Sequence, residues 1–164
     1  MRFHLIDRIL DLEPGKRIRM VKHLTLGEEY LADHFPTFPV MPGVLMLQTL
    51  VEGGAWLLRA TEDFQHSVIV LREARNVKYG NFMQPGHSMI ITVEAADYSS
   101  ANPSAVFKGR AEMEGTSTVS AKFTVARYNL RDRNPALQDA DARIITQLRS
   151  HYRILRGELD PPAR

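Results

Sequence analysis

His34 stands in a segment, residues 33–43, that carries Pro36, Pro39 and Pro42. Each proline fixes φ and restricts the residue before it, so the loop is rigid and its imidazole is held in place. Gly43 then opens an apolar run, residues 44–60, that reads as a helix. The loop therefore delivers an imidazole beside the free N–H groups of a helix start, a proton carrier next to an oxyanion site. A loop histidine taken alone is usually a solvated or structurally bonded side chain. The surrounding segment is what singles His34 out.

Other chemistries find no support. With no cysteine, disulfides, thiolate metal sites and a cysteine nucleophile are excluded, and a reducing compartment is compatible with the sequence. No Gly-x-Ser-x-Gly elbow or Gly-rich phosphate loop occurs. His4, His23, His66 and His151 lack metal-ligand spacing, and His87 follows a Pro-Gly turn, so neither metal nor cofactor is expected. The 21 Lys and Arg against 19 Asp and Glu leave a formal charge of +2, with the basic excess in the last 34 residues, so no basic stripe marks a nucleic-acid partner. Arg8 interrupts what a signal peptide would need as its apolar core. The apolar stretch 40–58 contains Pro42, Gln48, Glu52 and adjacent glycines, which suits a buried helix better than a membrane span. A cytoplasmic protein is expected.

The elements around the site read as α+β. A turn at Glu13-Pro14-Gly15 precedes a strand over 16–25, and strands are predicted over 67–79, 87–97, 105–113 and 116–128, separated by turn residues at 84–86, 100–103 and 114–115. Four consecutive strands at hairpin spacing after one buried helix suggest an antiparallel sheet wrapped around that helix. Asn134-Pro135 opens an amphipathic C-terminal helix carrying Leu137, Ile144, Leu148, Tyr152 and Leu155, ended by Pro161-Pro162, which packs on its own domain or on a neighbouring subunit. Residues 1–130 thus form the main domain and 131–164 a helical extension.

The block HFPTFPVMPGVLMLQTL resembles the signature of the 3-hydroxyacyl-acyl-carrier-protein dehydratases of bacterial type II fatty-acid synthesis, the hot-dog-fold enzymes. IDRILDLEPGKRIRMVKHLTLGEEY is similar to the family's first strand and turn, and looser similarity runs through Gln84-Pro85-Gly86 to about Tyr128. The resemblance implies a hot-dog fold with a long central helix wrapped by an antiparallel sheet. It also implies a homodimer, or a trimer of dimers, whose acyl tunnels are lined by both subunits. The implied reaction converts a (3R)-hydroxyacyl thioester of acyl carrier protein to the trans-2-enoyl thioester in fatty-acid biosynthesis. The family pairs a loop histidine, matched by His34, with a helix carboxylate of the opposing subunit fourteen positions later.

That position here is Gln48. Its amide can orient a hydroxyl or a water but cannot donate a proton as an acid does. His34 as base, Gly43 N–H as oxyanion donor and Gln48 as positioning group form the expected catalytic set. Phe35, Pro42, Val44 and Glu52 are the expected substrate-binding residues, with Phe38 and Trp56 further tunnel candidates. Glu52 lies one helical turn beyond Gln48, about 6 Å along the axis, and replaces the missing acid only through a shifted substrate or a bridging water. The family's basic pair before the Pro-Gly turn is replaced by Gly80 and Asn81, leaving Arg72, Arg75 and Lys78 to dock an acidic carrier. A coenzyme A thioester stays open as substrate. Two alternatives also stay open: a catalytically silent hot-dog protein that binds acyl thioesters or partners an active homologue, and a hot-dog thioesterase.

Overall fold

The computed structural model describes residues 4–158. Strands β1 (Arg8–Glu13) and β2 (Arg17–His23) form the first hairpin, and helix α1 (Gly43–Thr61) follows the proline-rich loop. Four longer strands come next: β3 (Val68–Tyr79), β4 (Ser88–Asp97), β5 (Ser104–Met113) and β6 (Thr116–Tyr128). Helix α2 (Gln138–Arg156) completes the chain. The six strands make one antiparallel sheet in the order β1-β2-β4-β5-β6-β3.

The sheet curls around α1 because α1 is apolar on most of its circumference. Leu50, Leu57 and Leu58 are buried against Ile18, Met20, Ile91, Val93, Phe107 and Phe123. The adjacent glycines of α1 make this approach possible: a Cβ on Gly54 would lie 2.9 Å from the Phe123 ring and 3.1 Å from Phe107. Met20, Met41, Met46, Met83 and Met89 are all core residues.

One connection differs from the sequence reading. The turn residues 84–86 do not close a hairpin between β3 and β4, because β3 pairs with β6 at the far edge of the sheet. After Tyr79 the chain stays with β6 through Gly80 N–H to Thr118 O (2.8 Å) and then crosses to β2, where Gly86 N–H reaches Leu24 O (2.8 Å). The buried Met83 side chain anchors this crossover. Hairpin-like spacing with turn chemistry at its centre thus concealed a crossing that burial of one methionine directs.

The C-terminal helix packs on its own domain. Asn134 caps a short 3-10 turn, accepting from Ala136 N–H at 3.1 Å with Pro135 in its first position, and α2 continues from there. Leu155 is buried, and Tyr152 meets Phe64 edge to face at 5.5 Å. Gly157, in the left-handed conformation at φ 72°, ends α2 by donating to Arg153 O and Ile154 O, a stop the sequence reading placed later. Pro161 and Pro162 lie outside the described residues.

A buried carboxylate ties the extension down. Asp141 accepts from Ser67 Oγ, from Leu130 N–H (2.9 Å) and from Arg131 N–H (3.0 Å). Burial pushes its pKa upward, but these hydrogen bonds outweigh it and hold the carboxyl below the usual range. A depressed folded-state pKa contributes stability that is present above the unfolded value and lost as pH falls through the folded one. Asp141→Ala is therefore expected to lower Tm at pH 7, with the gap from wild type closing below about pH 4. Thermal denaturation followed by circular dichroism across that range checks this, and a gap independent of pH would contradict it.

Candidate functional site

The loop places His34 half-buried, its ring 4.5 Å from the ring of Phe35, and no hydrogen bond among the described residues engages its nitrogens. Phe35 itself sits at φ 50°, a backbone strain for a bulky side chain that the flanking prolines and the Phe38 N–H to Phe35 O bond (2.8 Å) sustain. Met41 N–H bonds Met83 O at 2.9 Å and secures the loop to the crossover segment.

At the start of α1, Pro42 O accepts from Leu45 N–H (2.9 Å) and Met46 N–H (3.1 Å), while the N–H groups of Gly43 and Val44 have no acceptor within the helix. The Tyr79 ring lies over Gly43, where a Cβ would meet it at 3.1 Å. Glycine thus keeps the first amides accessible beside an aromatic wall. Val44 is 70% exposed and Phe35 59% exposed, so both lie open at this end of the helix.

The helix presents a second group of residues. A cavity of about 510 Å³ lies along the face of α1 that carries Gln48, Glu52, Trp56 and Arg59, with Ile69 of β3 on one side. Helix α2 supplies Ile144, Leu148 and His151 to its opposite wall, and His4 closes against His151 with ring centroids 4.7 Å apart. Polar residues at 48, 52 and 59 are spaced by four and seven, which puts all three on one stripe of an otherwise apolar helix.

Glu52 is the electrostatic centre of this cavity. Burial pushes its carboxyl up to about 7, against the opposing pull of Arg59, a backbone N–H of Leu5, the hydrogen bond from Gln48 and Lys22. Arg59 is itself lowered to about 10 by burial, with Glu52 acting in the other direction. Burial, and then the neighbouring His4, holds His151 below the usual histidine range.

The Glu52 shift predicts a pH-dependent stability. Its folded-state pKa lies above the ordinary 4.5, so the unfolded chain releases this proton first and stability falls as pH rises from about 4.5 to about 7. Removing the charge is expected to recover up to about 3 kcal/mol above pH 7. Glu52→Gln should therefore raise Tm at pH 8 and leave it nearly unchanged at pH 4. An equal offset at both pH values would show that the carboxyl is not the cause.

Within one chain the loop and the cavity do not meet. His34 and Phe35 stand in the loop and Pro42, Gly43 and Val44 at the start of α1, none of them in the cavity lining, whereas Gln48, Glu52 and Trp56 line the cavity. Phe38 is exposed and packs edge to face on Phe82 at 5.8 Å, away from the cavity lining. Arg72, Arg75 and Lys78 are exposed on β3, where Arg75 pairs with Glu73 at 2.8 Å. Sequence reasoning missed Arg59 and the cavity residues of α2. The 48, 52, 59 spacing was the available signal for Arg59, but no local pattern announces that residue 151 meets residues 4 and 56. Among the described residues no group of three His, Asp or Glu is placed to hold a metal, and no helix is long and apolar enough to cross a membrane.

A family model described as a FabA-like domain matches residues 1–122. The chain belongs to the FabA-like family. Its relatives include 3-hydroxyacyl-[acyl-carrier-protein] dehydratases FabZ. The one from Albidiferax ferrireducens is 36% identical over 128 residues, covering 76% of this FabA-like chain and 83% of that protein. The one from Wolbachia pipientis wMel is 35% identical over 89 residues, 54% of this chain and 62% of that protein. The chain thus matches less than two thirds of the length of several such relatives. Among solved structures, the dehydratase heterocomplex ApeI:P from Xenorhabdus doucetiae superposes with a TM-score of 0.66 at 12% identity, over 82% of this chain and 90% of that one. The FabA-like chain therefore has the α+β hot-dog fold, a central helix with a six-stranded antiparallel sheet, and a C-terminal helix besides. The matched region contains His34, Gln48 and Glu52, while α2 lies beyond it.

Proposed function

We propose that this FabA-like protein dehydrates 3-hydroxyacyl thioesters to 2-enoyl thioesters, with Glu52 supplying the acidic proton that Gln48 cannot. The observation that carries the reading is the Glu52 carboxyl, which lines the cavity one helical turn from Gln48, where burial pushes it up to about 7. A carboxyl at that value is part protonated at neutral pH, which general-acid catalysis requires.

Two subunits complete the site in this reading, as the family resemblance implies. The outer edge of β3 is unpaired, and Val70, Leu71 and Tyr79 stand exposed along it, which suits strand-to-strand pairing with a second copy. His34 of one protomer then faces the α1 cavity of its partner. The His34 imidazole removes the α-proton, and Gly43 N–H donates to the thioester oxygen as negative charge develops there. The C3–O bond breaks as the hydroxyl takes the Glu52 proton through a water oriented by Gln48, and the C2–C3 double bond forms. The imidazolium and the Glu52 carboxylate return to their starting states by exchange with solvent. Phe35, Pro42 and Val44 contact the thioester end of the chain, and Trp56 contacts its far part. Arg72, Arg75 and Lys78 offer an acidic carrier protein a basic docking face, and a coenzyme A thioester is the carrier-free form of the same substrate.

Product analysis tests the reading. Incubation with a 3-hydroxyacyl pantetheine thioester should yield the conjugated enoyl thioester without release of free thiol. Free thiol would instead identify a thioesterase, with Glu52 activating water, and saturable binding without either product would identify a silent acyl-thioester binder.

A further inference from the structure

Alkyl chains are best accommodated by apolar walls, because a buried donor left without a partner costs free energy. The cavity departs from that pattern at the end where α2 crosses α1. Arg59 lines it half-buried, with its Nε enclosed and without a hydrogen-bond partner. The guanidinium lies 5.1 Å over the Trp56 ring, within cation–π range. Among the described residues no carboxylate forms an ion pair with it, and the one charge acting on it is that of Glu52. Glu52 sits two turns away, about 10 Å along the axis, and keeps its proton up to about pH 7. His151, held below the usual histidine range by burial and His4, adds hydrogen-bonding capacity to the same wall.

We propose that this end of the cavity is a subsite for a carboxylate at the far terminus of the acyl chain, held by Arg59. The inference rests on the cavity being an acyl-thioester site. A planar fork of N–H donors matches a carboxylate bidentately, and desolvation strengthens the pair. Gln48 and Arg59 are eleven residues apart, about 16 Å along the helix, so the substrate class is a long-chain 3-hydroxyacyl thioester with a terminal carboxylate. Ile144 and Leu148 of α2 cover the methylenes between the two ends. The extension outside the FabA-like match thereby builds the specificity wall.

Calorimetric binding of saturated acyl-pantetheine thioesters tests this without turnover, and because they carry no phosphate the chain end is their only anion. The full-length wild type is expected to bind the ω-carboxyl form about tenfold more tightly than the methyl-ended form of equal length. Arg59→Leu, or Arg59→Gln should the first fail to fold, is expected to abolish that preference. Equal binding of the two forms by wild type, or tighter binding of the methyl-ended one, overturns the proposal. So does an Arg59→Leu that weakens a methyl-ended coenzyme A thioester as much as the ω-carboxyl pantetheine, since Arg59 would then serve a phosphate. A preference that persists in a protein without dehydratase activity counts against the proposed function and leaves the subsite standing. Turnover without the preference does the reverse.

Discussion

His34→Ala is expected to lower kcat for enoyl formation by about 10²- to 10⁴-fold while changing KM little. The imidazole is half-buried, stands in a loop stiffened by three prolines and has no hydrogen bond of its own among the described residues, so its removal breaks no hydrogen bond there. The effect should therefore be confined to the chemical step. Circular dichroism of the variant should match wild type, and enoyl absorbance in a steady-state assay reads the rate. An unchanged rate would remove His34 from the reaction.

The second large effect concerns the two side chains of α1 one turn apart. If Glu52 delivers the proton, wild-type kcat should fall as pH rises through about 7, the value at which burial places its carboxyl. Glu52→Gln should lose about 10²-fold or more at pH 7 and lose that pH limb with it. Adding Gln48→Glu to Glu52→Gln exchanges the two functional groups along the helix and should return much of the rate, since a carboxyl again faces the leaving hydroxyl. If His34 carries both protons, Glu52→Gln would leave both rate and pH profile intact, and this assignment would be wrong.

The loop and the helix start were legible because their determinants are local. Proline fixes φ wherever it stands, and an apolar run opened by glycine needs no distant information to read as a helix. The helix boundary at Gly43 and the strand positions follow from such patterns. The pairing of β3 with β6 was not legible, because hairpin spacing around residues 84–86 carries no record that Met83 is drawn into the core. Asp141 escaped notice for a related reason: an acidic residue in an amphipathic helix reads as solvated until Ser67 and the amides of Leu130 and Arg131 are seen to converge on it. Gln48 was found through resemblance and Glu52 through helical spacing from it. The proximity of their side chains to His4 and to His151 of α2 is a product of tertiary packing alone.

The division of the site between two chains is the claim most directly open to measurement. In a two-fold dimer each site would take His34 from one protomer and Glu52 from the other. Mixing equal amounts of unfolded His34→Ala and Glu52→Ala proteins and refolding them together gives hybrid dimers in which one of the two sites is intact. The expected result is recovery of roughly a quarter of wild-type activity from two variants that are each nearly inactive alone. No recovery, with hybrid dimers shown to be present, would contradict a site shared between subunits.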